Sequence, residues 1–157
     1  MQVGDLMSKD VVTLGETDVL IAAEELMGLR RFRHLPVVDK DGGLVGILTR
    51  RDILAASLPG DTATRVEKLV HSATVKVSAI MQHPVKSVTV TSDLVAAARL
   101  MESEKIGCLP VTNRGKVVGI LTEADFVRMA ARLLERAQFA DTEWAGHLRH
   151  TLFSDGG

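Results

Sequence analysis

The feature that most constrains this chain is that it is written twice. Sliding the sequence by 74 positions lays Met7–Asp39 on Met81–Asn113 without a gap. Met7, Val11, Thr17, Leu20, Ala22, Ala23, Leu26, Met27, Leu35, Pro36 and Val37 each meet an identical residue. The second copy then loses one residue in a turn, and the offset becomes 73. Val45-Gly46-Ile47-Leu48-Thr49 now falls on Val118-Gly119-Ile120-Leu121-Thr122, and Asp52 on Asp125. A self-similarity of this period marks two copies of one supersecondary unit.

Each copy has the same local grammar. A short β-branched run comes first, Val11–Leu14 or Lys86–Val90. Capping residues follow, Thr17-Asp18 or Thr91-Ser92-Asp93. Apolar residues then recur at helical spacing, Leu20, Ala23, Leu26 and Met27, or Leu94, Ala97, Leu100 and Met101. Leu35–Val38 and Leu109–Thr112 read as strands, and the proline in each predicts a strand start or an edge. Asp39–Gly43 and Asn113–Gly115 are hairpin turns leading to Leu44–Leu48 and Val117–Leu121. A helix follows from Thr49 or Thr122. The fold class is therefore α/β in the broad sense (α+β), two β-α-β-β-α units.

A unit of this size alone buries too little surface, so two copies must share a core, with pseudo-two-fold symmetry and matched clefts. With 157 residues the chain has room for little else. The expected boundaries are repeat one at 1–58, a linker at 59–76, repeat two at 77–134 and a C-terminal extension at 135–157. The linker opens on the breaker Leu58-Pro59-Gly60-Asp61 and predicts a short helix over 62–72 with Val66, Leu69 and Val70 on one side. Residues 123–136 predict an amphipathic helix (Val127, Ala130, Leu134), and 142–152 a second helical segment with Trp144 and Leu148. The last four residues read as frayed.

Composition removes several function classes. Nineteen basic against twenty acidic residues give a formal charge of −1, which argues against nucleic-acid binding through bulk charge. Aromatic residues make up 3%, too few for base-stacking platforms. No apolar run is long enough for a membrane span, and Met1–Asp5 lacks a signal-peptide pattern, so the expected setting is cytoplasmic, without membrane. Cys108 is the single cysteine, which excludes an intrachain disulfide. No Ser-His-Asp pattern, Walker loop or paired carboxylates suggest catalysis, and His147 with His150 alone is a weak metal pair. The expectation is no enzyme, no required cofactor and no metal.

The chemistry that remains is Thr-x-x-Asp, present as Thr49/Asp52 and Thr122/Asp125. Taken singly, it is a helix capping box. The same carboxylate can also accept both hydroxyls of a ribose, as acidic residues do in dinucleotide folds. Met7, Met27, Met81 and Met101 read as core fillers, and Cys108 as an inert buried thiol.

The doubled arrangement resembles the cystathionine β-synthase (CBS) domain in its tandem form, a stand-alone Bateman module. The resemblance is carried by His34–Asp39 with Leu44–Asp52, and by Cys108–Asn113 with Val117–Asp125. It implies a regulatory, ligand-sensing module without catalysis, homodimeric, binding adenosine-containing ligands (AMP, ADP or ATP) between its motifs. S-adenosylmethionine or NAD is the alternative ligand, and a ligand-free dimerisation module the alternative role. A regulated protein partner is implied but not named.

The resemblance also implies that each cleft joins one Thr-x-x-Asp motif to the first strand and pre-proline residues of the other copy. Site one would comprise Ile47, Thr49, Arg50 and Asp52 with His83, Val85, Lys86, Ile106, Gly107 and Cys108. Site two would comprise Ile120, Thr122, Glu123 and Asp125 with Lys9, Val11, Val12, Phe32, Arg33 and His34. Apolar side chains would sandwich an adenine. Nearby cations would neutralise phosphate, whereas Glu123, if it pointed inward, would disfavour polyphosphate and suit a sulfonium.

Overall fold

The computed structural model describes residues 1–30, 32–57 and 62–139. The breaker at 58–61, Arg31 and the expected segment 142–152 with Trp144, His147 and His150 lie outside the described residues. The chain divides into two compact units, Met1–Leu121 and Thr122–Gly157.

The first unit holds two three-stranded sheets of one design. In one, β1 (Leu14–Gly15) pairs in parallel with β2 (His34–Val38), which pairs antiparallel with β3 (Leu44–Thr49). The other repeats this order with β4 (Val88–Thr89), β5 (Cys108–Asn113) and β6 (Lys116–Thr122). Helix α1 (Leu20–Arg30) links β1 to β2, and α5 (Leu94–Glu104) links β4 to β5. Parallel neighbours need such a crossover, and the helical apolar spacing supplies its buried face. Asp93 caps α5 by accepting from the Ala96 amide at 2.9 Å. The sheets and helices make a mixed α+β fold.

The leading segments of the two repeats are exchanged. Met1–Ser8, with a 3-10 turn at Val3–Asp5, bonds to the second repeat. Val3 donates to Ser92 O and Gly4 to Val90 O, both at 2.9 Å, and Ser8 trades two backbone bonds with Ile120. The equivalent segment of repeat two, containing α4 (Val77–Ile80), bonds to repeat one. Leu20 donates to Val75 O and Val77 to Asp18 O, both at 2.8 Å, and Gln82 trades two bonds with Ile47. Val77 completes the first repeat's core of Leu14, Leu20, Ala23, Met27, Leu35, Val37, Leu48 and Ile53. The stretch that repeats in the sequence and the stretch that packs together are therefore different.

Pro36 lies in the middle of a central strand, neither at a start nor on an edge. The register explains this. Pro36 faces Ile47, whose backbone N–H and C=O are turned to Gln82, so no ladder bond is asked of the proline nitrogen. On its other side β1 begins only opposite Val37. The first strands are also shorter than their β-branched runs, because pairing reaches only Leu14–Gly15 and Val88–Thr89. Val12 instead packs against the core.

Hairpin β2–β3 turns on Asp39, whose carboxylate accepts from the amides of Asp41 and Gly43 at 2.8 Å. Hairpin β5–β6 uses two residues of positive φ, Arg114 and Gly115, as a two-residue turn of this hand requires. The two turns meet: Leu44 donates to Gly115 O and Val117 to Gly42 O.

Helix α2 (Arg50–Ala56) follows β3, and α3 (Arg65–Thr74) starts later than its pattern predicts, capped by Thr64. Val66, Leu69 and Val70 are exposed. Helix α3 is held through its polar side: Glu24 on α1 accepts from Ser57 Oγ at 2.5 Å and Ser72 Oγ at 3.2 Å, and His71 Nε2 meets Ala56 O at 2.7 Å. The second unit contains α6 (Glu123–Phe139), longer than its predicted span, with Val127 and Leu134 exposed.

Candidate functional site

Site one is built where β3 ends. Thr49 is the last residue of β3 and the N-cap of α2, so strand geometry and helix geometry meet at its backbone. Its amide donates to Asp52 Oδ2 at 2.7 Å and its hydroxyl to the same oxygen at 2.6 Å. The Asp52 amide returns a longer bond to Thr49 Oγ1 at 3.3 Å. The capping box is thus real, and it pins the carboxylate through one oxygen.

The other repeat reaches this carboxylate through Gln82. Its backbone is fixed by the exchange with Ile47, at 2.9 and 3.1 Å. Its side-chain Nε2 lies 2.9 Å from Asp52 Oδ1 and 3.0 Å from Oδ2. Burial pushes the Asp52 carboxyl up, but the Thr49 hydroxyl, the Gln82 amide, the Thr49 amide and the Arg51 charge outweigh it and hold the group below the ordinary carboxylate range. The result is an anionic acceptor, half-buried at a junction of the two repeats.

Gly46 makes the approach possible. A Cβ there would collide with Met81, immediately before Gln82. Gly119 has the same relation to Met7: its Cβ would lie 2.8 Å from the sulfur and 2.9 Å from Ser8 O. The doubled Val-Gly-Ile pattern is thus a backbone-contact motif.

The remaining expected residues of site one are placed as follows. Ile47 is buried and Arg50 exposed, its amide donating to Arg33 O at 3.1 Å. His83 is exposed and joined to Pro84 by a cis peptide bond. Val85, Ile106 and Gly107 are half-buried, and Cys108 is buried at the start of β5. Lys86 is exposed and paired with Glu104 at 3.4 Å.

The residues expected for site two divide between the two units. In the first, Ile120 bridges to Ser8 beside Lys9, Phe32 and Val12 pack on the first repeat's core, and His34 pairs with Thr49 across β2–β3. Val11 is half-buried, and Lys9 and Arg33 are exposed. In the second unit, Asp125 is buried and Glu123 exposed. Asp125 Oδ2 accepts from the Thr122 amide and hydroxyl, each at 2.7 Å, and Oδ1 accepts from the Arg128 guanidinium.

Sequence reasoning did not single out Gln82 or Arg128. The signal for Gln82 was in the alignment of the repeats, where it falls on Ser8, a much shorter donor. Among the described residues no three His, Cys, Asp or Glu side chains converge as a metal site.

The decisive observation from known proteins is that the CBS domain family matches residues 3–59 and 77–132. The chain belongs to the CBS domain family. A CBS domain-containing protein of Dictyostelium discoideum is 36% identical over 139 residues, covering 85% of this chain and 93% of the relative. Among solved structures, CBSX2 in complex with AMP superimposes with a TM-score of 0.70 at 30% identity, covering 84% of this chain and 97% of that one. The CBS domain pair of MJ0100, in complex with 5′-methylthioadenosine and S-adenosyl-L-methionine, gives 0.68 at 26%, covering 83% and 96%. Other CBS relatives are much longer. The chain spans 25% of the homoserine O-acetyltransferase of Methanohalophilus mahii, at 32% identity. Among the described residues no helix is long and apolar enough to cross a membrane.

Proposed function

We propose that this CBS pair is a regulatory module that binds an adenosine-containing ligand, AMP, ADP or ATP, and performs no catalysis of its own. The observation that carries the reading is the Thr49–Asp52 pair, an anionic acceptor reached from the other repeat through Gln82. A carboxylate so held accepts the two hydroxyls of a ribose. Two CBS pairs of similar fold hold adenosine compounds, one of them AMP. Ile47, two residues before Thr49 on β3, and Val85 and Ile106 on the second repeat offer apolar surface for a base; Arg50 and His83 are exposed, and Lys86, paired with Glu104, is a further cation for phosphate.

The mechanism is a population shift. A ligand that contacts both repeats favours one arrangement of them and alters what a partner protein meets. Homodimerisation in the cytoplasm belongs to the same reading, with Val66, Leu69 and Val70 as an apolar surface for a second copy. The Thr122–Asp125 pair, which repeats the Thr49–Asp52 arrangement, belongs to the same reading.

A melting-temperature panel of AMP, ADP, ATP, S-adenosylmethionine and NAD tests the reading. A ligand at about 100 times its Kd stabilises by roughly 2.7 kcal/mol, a shift of several degrees. A shift for an adenine nucleotide that Asp52→Asn removes supports it. A shift for S-adenosylmethionine alone moves the ligand to the sulfonium class, and a flat panel at millimolar ligand favours a ligand-free dimerisation module.

A further inference from the structure

We propose that Gln82 is a built-in competitor for sugar hydroxyls at Asp52, and that it sets how strongly this site distinguishes ligands with a free 2′,3′-diol from ligands without one. The inference rests on the ribose reading of Asp52 given above.

The hydrogen-bond inventory of the carboxylate carries the argument. A carboxylate has about four lone-pair positions. Oδ2 already accepts two donors from Thr49. The open edge, shared by Oδ1 and Oδ2, is straddled by Gln82 Nε2 at 2.9 and 3.0 Å. A vicinal diol that binds both oxygens needs that same edge. The amide and the diol cannot both lie within hydrogen-bond distance of it.

The exchange is local. The Gln82 backbone is anchored by two bonds to Ile47, while the residue is exposed. Its side chain can swing into water, where its donors are satisfied, without disturbing the junction.

A competitor that covers its target lowers apparent affinity in proportion to the fraction of time the target is uncovered. Coverage of about 70–90% weakens a diol ligand roughly three- to tenfold. A dideoxy ligand does not displace Gln82 and is unaffected. Gln82 thus compresses the preference for ribose.

The test compares the full chain and Gln82→Ala by calorimetric titration with AMP and with 2′,3′-dideoxy-AMP. Tighter AMP binding by about three- to tenfold, with dideoxy-AMP unchanged, is the expected result. A second readout needs no variant to bind. Gln2, Gln82, Gln138 and Asn113 carry the only side-chain amides in the sequence. In a 15N spectrum of the unaltered protein, the Gln82 pair should move as AMP saturates.

Equal or weaker AMP binding by Gln82→Ala overturns the competitor and leaves the adenosine reading standing. So does a Gln82 signal that stays still at saturation, or equal tightening for both nucleotides, which would mean crowding. No AMP binding by either protein removes the adenosine reading, and the competitor with it.

Discussion

Met81 of the second repeat lies against the α-carbon of Gly46 in the first, in the space that a β-carbon would take. Gly46→Ala should therefore destabilise the protein by about 1–3 kcal/mol through overpacking. The obstruction is a flexible side chain, so Met81→Ala in the same chain should recover part of the loss. At Gly119 the obstruction includes the Ser8 carbonyl, which is backbone. Gly119→Ala should cost at least as much, and Met7→Ala should not rescue it. Urea unfolding of the four single variants and the two double variants measures this; additive effects in the Gly46/Met81 pair would contradict the contact.

The low Asp52 carboxyl pKa has a definite sign in stability. Its folded value lies below that of the unfolded chain, about 3.9. The stabilisation is thus present above that value and fades as the pH falls through the folded one. From about pH 5 downward, the unaltered protein should lose stability more steeply than Asp52→Asn. Glu67 is also held low, by the Thr64 amide and then its hydroxyl, but it is common to both proteins and cancels. Parallel acid limbs in thermal melts would show that the Asp52 bonds add nothing to folding.

Glu24 gathers α1, α2 and α3 through the hydroxyls of Ser57 and Ser72. Glu24→Ala should cost about 1.5–3 kcal/mol, the range for hydrogen bonds to a charged group. Ser72→Ala, which removes the longer bond, should cost less. Amide exchange in α3 should rise in Glu24→Ala more than in α5, which this cluster does not touch. Equal exchange in both helices would count against the clamp.

Asp125 and Asp52 occupy the same place in the repeat but differ in burial. Asp125 is 2% exposed and bound by Thr122 and Arg128, whereas Asp52 is half-buried. Removing acceptors from buried donors is the more costly change. Asp125→Ala should lower the melting temperature more than Asp52→Ala, and the reverse order would exclude burial as the controlling difference.

Much of the fold was legible because duplication prints the same pattern twice. Val45–Thr49 against Val118–Thr122, and the apolar spacing of α1 and α5, locate the strands and helices by their own chemistry. Adjacency was less legible. An offset of 74 says that Met7 and Met81 are equivalent, but not that each lies on the glycine of the other repeat. Pro36 misled for a related reason: its tolerance in a central strand depends on Ile47 turning its backbone to Gln82, a partner far along the chain. Thr49 and Asp52 could be found by motif, whereas Gln82 required knowing which side chain crosses the junction.

The exchange of leading segments makes each half of the chain an unfinished object. Val77 fills the first repeat's core, and Val3 and Gly4 pair with the second. A polypeptide with a single repeat could close only by trading that piece with another molecule, and its folding would then depend on how much of it was present. Joining two repeats in one chain replaces encounter by tether. Closure becomes independent of protein concentration, and the pair remains whole however dilute it is.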